Sequence, residues 1–241
     1  MRHPDPSTSA DNAAVVTVEL DRAGVVIDGR TIIAPTTLTL KERRIGVIGA
    51  NGSGKSTFAR LLNGLVVPTT GAVRIDGLDT AREAAKIRRS VGFVFQNPDN
   101  QIVFPIIAED MAFGLKNSGL AKVEIPTRVT AELARLGIAH LVERASHSLS
   151  GGEKQLAALA AVLVMRPKLV VFDEPTTLLD LKNRNRIRAV IDALAASALV
   201  VTHDLDLVER FDRVLVIEDG RIAADDTPRA AIAWYRERAA A

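Results

Sequence analysis

A glycine-rich segment between a strand-like and a helix-like stretch is the feature that most restricts the fold of this chain. Residues 44–48 are largely apolar and typical of a β-strand, and residues 58–63 are typical of a helix. Between them, the pattern G-x-x-x-x-G-K-[S/T] begins at Gly49 and ends with Lys55 and Ser56. Strand, glycine loop and helix in this order predict an α/β fold with a phosphate-binding loop at a helix start.

The residues of this loop supply what nucleotide phosphates require. Gly52 and Gly54 leave backbone N–H groups free to turn inward, and the helix start adds its positive dipole end. Lys55 provides a cation for the β- and γ-phosphate oxygens, and the Ser56 hydroxyl is suited to Mg²⁺. The nucleotide contacts expected in this loop are Gly49, Asn51, Gly52, Ser53, Gly54, Lys55, Ser56 and Thr57. The alternative is a glycine-rich turn that merely joins a strand to a helix, and the Lys-Ser-Thr run in register disfavours it.

Two carboxylates end an apolar run, Leu169 to Glu174, that is typical of a buried central strand. Ligands of open parallel sheets bind at the carboxyl edge of the strands, where Asp173 and Glu174 are expected to lie. Asp173 would hold Mg²⁺ through water opposite Ser56, and Glu174 would polarise the water that attacks the γ-phosphate. The alternative is a strand that ends in a solvated acidic turn, and a sound phosphate loop in the same chain makes it the weaker one.

The sequence around Ser150 predicts a second helix start. Ser150 and Glu153 have the spacing of a capping box, and leucines follow at helical spacing. A cap does not require Gly151 and Gly152, however, and two glycines would leave the helix start open to a phosphate. One nucleotide does not easily need two such helix starts from one subunit. We therefore expect a head-to-tail dimer in which each phosphate loop meets the partner's Ser150 loop.

Together these motifs resemble those of the nucleotide-binding subunits of ATP-binding cassette (ABC) transporters, over nearly the whole chain after Val15. The six matching segments, in chain order, resemble the Walker A motif (Gly49 to Thr57), the Q-loop (Gln96), the signature motif (Ser150 to Gln155), the Walker B motif (Val170 to Glu174), the D-loop (Leu178 to Asp180) and the switch histidine (His203). Six motifs in the family's order leave little room for coincidence.

The resemblance implies further roles for individual residues. Gln96 would contact Mg²⁺ and the attacking water and sense a membrane partner, His203 would hydrogen-bond the γ-phosphate, and Asp180 would act across the dimer. The expected catalytic residues are Glu174, His203 and Gln96, and the expected Mg²⁺ ligands are Ser56, Gln96 and Asp173. Ser150, Gly151, Gly152 and Asp180 complete the expected nucleotide contacts.

The resemblance also implies the fold and its division along the chain. It implies an α/β P-loop core with a mostly parallel sheet, an N-terminal antiparallel β subdomain and an inserted helical subdomain. Residues 1–14 are polar and are expected to form a disordered tail, and residues 15–241 a single domain. The helical subdomain with the signature motif is expected at about 107–165. Asp-Gly pairs at 28–29, 76–77 and 219–220 predict tight turns between strands.

Two positions depart from the family pattern. An aromatic residue usually stacks on adenine near the start of such chains, whereas residues 22–27 offer none around Val26. The base is therefore expected to rest on aliphatic side chains. In the D-loop, Leu178 stands where a small residue is commoner.

The segment after Gln96 indicates which group of ABC ATPases the chain resembles most. The run from Gln96 to Gln101 follows the pattern Q-N-P-D-x-Q, and residues 109–114 read Glu-Asp-Met-Ala-Phe-Gly. Both resemble the ATPases of energy-coupling factor importers, which take up vitamins and transition-metal ions. That likeness implies a transmembrane coupling subunit docked at residues 101–114, a substrate-binding membrane subunit, and a homodimer or a heterodimer with a second ABC ATPase. A purely local turn around Pro98 is compatible with the same residues.

The transported substrate is not encoded in such an ATPase. The compact chain favours a biotin importer, with cobalt or nickel as the other possibilities. Broader alternatives are an ABC ATPase of another transporter, an ABC ATPase without a transport role, and a P-loop kinase of a small molecule. The Ser150 loop and His203 argue against the kinase, because its chemistry needs neither.

Composition limits the partners and the location. A net charge of +2 is too small to indicate nucleic-acid binding. The longest apolar stretch, Leu156 to Met165, is too short to span a bilayer, and residues 1–12 lack the apolar centre of a secretory signal. No cysteine is present, which agrees with a reducing compartment. We expect a cytoplasmic protein at the inner face of the cell membrane, with ATP and Mg²⁺ as its small ligands.

Overall fold

Two β-sheets of different type hold the strands of the chain. The structure is a computed structural model that describes residues 15–240, so the expected tail at 1–14 and residue 241 lie outside the described part. The elements, in chain order, are β1 (Val18–Ile27), β2 (Arg30–Leu40), β3 (Arg44–Ile48), α1 (Lys55–Leu61), β4 (Thr70–Ile75), β5 (Leu78–Asp79), α2 (Ala84–Ser90), β6 (Val91–Val94), α3 (Ile107–Asn117), α4 (Ile125–Arg135), α5 (Gly151–Leu163), β7 (Leu169–Asp173), α6 (Leu181–Asp192), β8 (Ser197–Val201), α7 (Leu205–Val208), β9 (Arg213–Glu218), β10 (Arg221–Asp226) and α8 (Pro228–Ala239).

The larger sheet is the one that positions the site. Its strand order is β10-β9-β3-β8-β7-β6, and every neighbouring pair is parallel except β9 and β10. Strands β7 and β8 are buried along their whole length, as their continuous apolar runs predict for strands covered on both faces. The neighbouring strands β3, β8 and β7 all end at the same edge. That edge therefore collects the phosphate loop after β3, the carboxylates at the end of β7, and the segment after β8.

The smaller sheet is antiparallel, in the order β2-β1-β4-β5. Its β1–β2 hairpin turns at Asp28 and Gly29, both with positive φ, as the sequence predicts. The turn at Gly220 between β9 and β10 joins this sheet to the phosphate loop, since the Gly220 N–H donates to Ser53 O (2.9 Å) and Gly220 O accepts from Ala34 N (2.8 Å). The expectation of a mostly parallel core beside an N-terminal antiparallel sheet is confirmed.

Helices α3, α4 and α5 lie between β6 and β7 in the chain. These helices share a hydrophobic cluster with strands of the large sheet, which includes Met111, Leu133, Leu156 and Phe172. Helix α5 begins with the capping box that the sequence predicts, formed by Ser150 and Glu153. Within residues 15–240, no helix combines the length and the apolar character needed to cross a membrane.

Candidate active site

A cavity of about 370 Å³ opens at the carboxyl edge of the large sheet. Its lining residues are Ile32, Asn51, Gly52, Gly54, Lys55, Ser56, Thr57, Gln96, Glu174, Thr177 and His203. All of these except Ile32 and Thr177 are site residues expected from the sequence, although they come from four distant segments. The fold therefore brings together the phosphate loop, the Q-loop glutamine, the end of β7 and the switch histidine.

The phosphate loop has the backbone that its glycines permit. Gly54 immediately precedes α1 with φ of 105°, and a Cβ there would lie 2.7 Å from Ile32 O. A side chain at this position would therefore clash with β2 as well as strain the backbone. Ser53 Oγ is buried and has no hydrogen-bond partner within residues 15–240. Ser53 does not line the cavity, so its hydroxyl lies behind the surface that a phosphate would contact.

Lys55 is buried and held by its own loop. Its Nζ donates to Gly49 O (2.9 Å) and to Ala50 O (2.8 Å). Burial lowers the pKa of Lys55, and the carboxylates of Glu174 and Asp173 act in the opposite direction. A phosphate entering the cavity would add negative charge beside this ammonium group and would further favour its charged form.

Ser56, which lines the cavity, is paired as expected with Asp173, which is buried behind the lining. Ser56 Oγ donates to Asp173 Oδ1 at 2.7 Å, and Arg60 lies 3.7 Å from Asp173 Oδ2. Burial raises the pKa of Asp173, while the hydrogen bond from Ser56 and the charge of Arg60 lower it. A cation bound at this pair would compensate for the burial of the carboxylate.

The donor set suits a magnesium ion that arrives with its nucleotide. Within residues 15–240, no group of three or more His, Cys, Asp or Glu side chains is arranged to hold a metal. Magnesium is typically bound through one or two carboxylates, waters and substrate phosphates. Ser56, Asp173 and Gln96 offer oxygen atoms of this kind and leave the remaining positions to other ligands.

Glu174 and His203 contact each other directly. Glu174 follows β7 in a left-handed conformation, with φ of 54°, and its N–H donates to Val201 O at 2.9 Å. His203 Nδ1 lies 2.8 Å from Glu174 Oε2, and Thr177 Oγ1 donates to the same oxygen at 3.2 Å. A non-glycine residue with positive φ is a strained conformation that surrounding bonds must hold. These contacts fix the carboxylate at the mouth of the cavity.

The remaining expected residues do not line the cavity. Ser150, Gly151, Gly152 and Asp180 lie at the starts of α5 and α6. The Ser150 N–H donates to Glu153 Oε2 at 2.9 Å, and Asp180 Oδ1 accepts from Asn183 N at 2.8 Å. Each residue thus caps its own helix, and one chain does not bring these two helix starts into its own cavity.

The two glycines of the signature motif are both expected to keep the helix start open, but the structure shows this only for Gly151. A Cβ on Gly151 would meet nothing within 4 Å, whereas a Cβ on Gly152 would lie 2.2 Å from Asn183 Nδ2. Gly152 is buried under the first turn of α6, so its lack of a side chain serves packing within the subunit. Only Gly151 leaves open space at this helix start.

Sequence reasoning missed three residues at the site. Arg60 follows Ser56 by four positions on α1, so helical spacing alone places both on one face. Thr177 lies directly before the D-loop segment that the sequence singles out. Ile32 gives no signal in the sequence, because its place in the cavity depends on β2 crossing the phosphate loop.

Comparison with known proteins identifies related sequences along most of the chain. The sequence model of the ABC transporter family matches residues 35–177. The biotin transport ATP-binding protein BioM of Rhizobium etli is 52% identical over 92% of this chain and 99% of its own length. The cobalt import ATP-binding protein CbiO of Syntrophus aciditrophicus is 44% identical over 87% of this chain and 78% of its own length. The energy-coupling factor transporter ATP-binding protein EcfA1 of Symbiobacterium thermophilum is 44% identical over 91% of this chain and 75% of its own length.

Two solved structures have the same fold. The structure of cbiO1 from Clostridium perfringens, described as part of the ABC transporter complex cbiONQ, has a TM-score of 0.79 and 33% identity and covers 92% of each chain. A dimeric ATP-binding cassette in a post-hydrolysis state, bound to ADP and Pi, has a TM-score of 0.79 and 27% identity. The match covers 88% of this chain and 99% of that one.

Proposed function

The chain belongs to the ABC transporter ATP-binding family, whose members are ATPases, and we propose that it hydrolyses Mg·ATP to drive an energy-coupling factor importer. The observation that carries the proposal is the cavity itself. It joins the buried Lys55, the Ser56–Asp173 pair and the Glu174–His203 pair at one sheet edge. This set supports phosphate binding, a magnesium ion and activation of water.

In the proposed mechanism, Lys55 and the N–H groups of the loop hold the β- and γ-phosphates. Ser56, Asp173 and Gln96 would hold magnesium, which neutralises charge on the phosphate oxygens when bound. Because Lys55 is already fixed by the Gly49 and Ala50 carbonyls, little side-chain ordering remains when the phosphates arrive.

Glu174 would orient and deprotonate the attacking water. Its Oε2 is occupied by His203 and Thr177, whereas its Oε1 has no hydrogen-bond partner within residues 15–240 and is therefore available to the water. A protonated His203 would donate Nδ1–H to Glu174 and Nε2–H to a γ-phosphate oxygen. The pair thus holds the base and stabilises charge that develops on the phosphoryl group.

A second copy, or a related ATPase, would complete each site. Ser150, Gly151 and Asp180 lie outside the cavity of their own chain. Leu178 and Leu181, beside Asp180, have exposed side chains, which a partner subunit could cover. A structural neighbour with 27% identity is a dimer bound to ADP and Pi. We infer a head-to-tail dimer that places each Ser150 loop over the partner's phosphates.

A transmembrane subunit would dock on an apolar groove between α3 and α4, of about 420 Å³. Phe104, Ala112, Phe113 and Val129 are among the residues that line it. Phe104 and Phe113 stack with ring centroids 5.0 Å apart, and Phe113 is 48% exposed. The Asp110 carboxylate accepts from the backbone of the preceding segment and so holds Phe104 in place. A groove of this kind suits an apolar helix of a membrane protein.

Backbone hydrogen bonds connect this groove to the segment that leads into the signature motif. Ser146 N donates to Pro105 O at 2.7 Å, and Ala108 N donates to Val142 O at 3.1 Å. The groove is therefore bonded to the segment that leads into Ser150. We infer a peripheral position on the inner face of the membrane, beside the coupling subunit and a substrate-binding membrane subunit.

Biotin is the favoured transported substrate. One relative named for biotin transport is 52% identical and matched over 99% of its length, and a second is 43% identical and matched over 89%. The relative named for cobalt import is 44% identical and matched over 78% of its length. Cobalt or nickel remains the other substrate class. The substrate itself would not contact this chain, so the identities of the relatives are the only support.

Uptake in a deletion strain tests this function. The strain is complemented with the wild-type gene or with Lys55→Ala, and uptake of labelled biotin, cobalt and nickel is measured. We expect wild type alone to restore biotin uptake, with metal-ion uptake unchanged throughout. Loss of cobalt or nickel uptake instead would assign a metal-ion importer, and unchanged uptake of all three would reject biotin, cobalt and nickel as the transported substrate.

Docking is tested separately by co-purification from detergent-solubilised membranes. Phe113→Asp should release the ATPase from its membrane partner, because it places a charge in the apolar groove. Val123→Asp is the matched control, since Val123 is 84% exposed and does not line the groove. Equal recovery of the two variants with the membrane partner would exclude this groove as the docking surface.

A further inference from the structure

The segment after the Q-loop glutamine contacts α5, the helix that begins at the Ser150 loop. Pro98–Asn100 form a short 3₁₀ turn, which Asn97 caps by accepting from Asp99 N at 2.9 Å. Asp99 Oδ1 then accepts from Lys154 Nζ, on the first turns of α5, at 2.7 Å. The Lys154 side chain is 21% exposed and that of Asp99 is 63% exposed, so the ion pair lies at the surface of the subunit. This segment directly precedes the docking surface expected at residues 101–114, and its acidic residue forms an ion pair within the subunit.

Gln101 joins the core sheet to the same helix. Its Oε1 accepts from Phe95 N (3.2 Å), and its Nε2 donates to Ala158 O (3.2 Å) and to Phe93 O (3.4 Å). One amide therefore bonds the end of β6 and the middle of α5. Such a bridge between two elements needs both a donor and an acceptor, which a glutamine side chain has.

These contacts lie on one face of α5. Lys154 and Ala158 are four residues apart, and Val162 follows after four more, so the three share a face of the helix. Val162 packs so closely on β6 that a Cβ on Gly92 would lie 2.4 Å from Val162 Cγ1. Packing thus holds the far end of α5 on β6, and polar bonds hold the half that carries Ser150.

We propose that Gln101 and the Asp99–Lys154 ion pair are positioning residues that hold the Ser150 end of α5 at a fixed angle to the core sheet. The inference rests on the proposed function, in which the Ser150 loop completes the nucleotide site of a second copy. A helix held in advance loses less freedom on association, so these bonds favour the ATP-bound dimer. They do not touch the cavity of their own chain, so binding of Mg·ATP to one subunit does not depend on them.

The test measures dimer formation and nucleotide binding separately. In a Glu174→Gln background that retains ATP, Gln101→Glu keeps the acceptor for Phe95 N but loses both donated bonds and sets a carboxylate against two carbonyls. We expect the protein concentration for half-dimerisation in Mg·ATP to rise about tenfold, the equivalent of one such hydrogen bond. Lys154→Ala should raise it about threefold, as for a partly exposed ion pair.

Mg·ATP affinity of the monomer, measured below the dimerisation concentration, should stay within about twofold for each variant, a change well under the tenfold that one lost hydrogen bond represents. The matched control is Lys86→Ala, which breaks an ion pair to Glu83 of 2.9 Å outside this region and should change neither quantity. The exchanged pair Asp99→Lys with Lys154→Asp should recover most of the loss. If Gln101→Glu does not fold, the Lys154 variants decide the matter alone.

The outcomes separate this inference from the proposed function. Dimerisation unchanged in both Gln101→Glu and Lys154→Ala would overturn the positioning role, as would an exchanged pair that fails to recover the Lys154→Ala loss. Equal losses of monomer affinity and dimerisation would also overturn it, since they would indicate general damage to the fold. A Glu174→Gln parent that binds Mg·ATP but stays monomeric would reject the proposed dimer, and this inference with it.

Discussion

One chain builds the cavity more completely than it builds the positions expected to meet a second copy, namely the Ser150 loop and Leu178. At the sheet edge that forms the cavity, the side chains of Lys55, Asp173 and Glu174 already have partners within the subunit. On the surface, Gly151 has open space around it and the Leu178 side chain is fully exposed. The comparison teaches that the sheet edge of one chain fixes the cavity side chains by itself, while the Ser150 loop and Leu178 are left for the proposed second copy to cover.

The largest effect is expected where the cavity alone carries the chemistry. Glu174→Gln should lower the turnover of ATP by about 10²–10⁴-fold, because an amide is a poor base. Binding of Mg·ATP should persist, and a closed dimer should accumulate in light scattering. A variant that hydrolyses ATP like wild type would show that Glu174 is not the catalytic carboxylate and would move the chemistry away from the end of β7.

Lys55→Ala removes the buried ammonium group from the phosphate loop. We expect hydrolysis to fall by about 10²–10³-fold, as for loss of a single preorganised charge-stabilising group. The far-ultraviolet circular dichroism spectrum should match that of wild type, because the Gly49 and Ala50 carbonyls then bond to water. Near-normal hydrolysis by a folded variant would remove the loop from the mechanism.

Substitutions of Gly151 and Gly152 separate packing within one subunit from contact with a second copy. Gly152→Ala should destabilise the isolated subunit by about 1 kcal/mol, because the new methyl group displaces the Asn183 side chain. Gly151→Ala should leave that stability within about 0.5 kcal/mol while weakening dimerisation in Mg·ATP. Urea unfolding measures the first effect and light scattering the second.

Asn183→Ala is the control for the glycine pair. Added to Gly152→Ala, it should recover most of the lost stability, because it removes the atoms that the methyl group meets. Equal destabilisation by the two glycine variants would contradict the distinction between a packed and an open position.

The smallest effect is expected at Leu178, on the surface side of the comparison. Leu178→Ser should change the free energy of unfolding of the isolated subunit by no more than about 0.5 kcal/mol, because the side chain is exposed. Its effect should be confined to dimerisation, measured as the protein concentration at which hydrolysis is half-maximal. A marked loss of monomer stability would place Leu178 in a packing role that its exposure does not suggest.

The sequence predicts the cavity better than it predicts the contacts that support it. Lys55, Ser56 and Asp173 follow from short motifs and from the rule that parallel strands end at one edge, and the structure places them there. The Gly152–Asn183 and Gln101–Ala158 contacts join segments far apart in the chain. No local pattern encodes such tertiary packing, so a glycine kept for packing resembles one kept for a ligand.

The position of β3 in the large sheet also has a consequence for the synthesis of the chain. β3 pairs with β8 and β9, so that residue 45 lies between residues 199 and 213. A nascent chain emerging from the ribosome has its phosphate loop early but lacks both neighbouring strands until residues 197–218 have been made. These long-range pairings are slow to form and leave apolar strands exposed meanwhile. We therefore expect ATP to stabilise this protein only after these two strands have been translated, and not when the phosphate loop first appears.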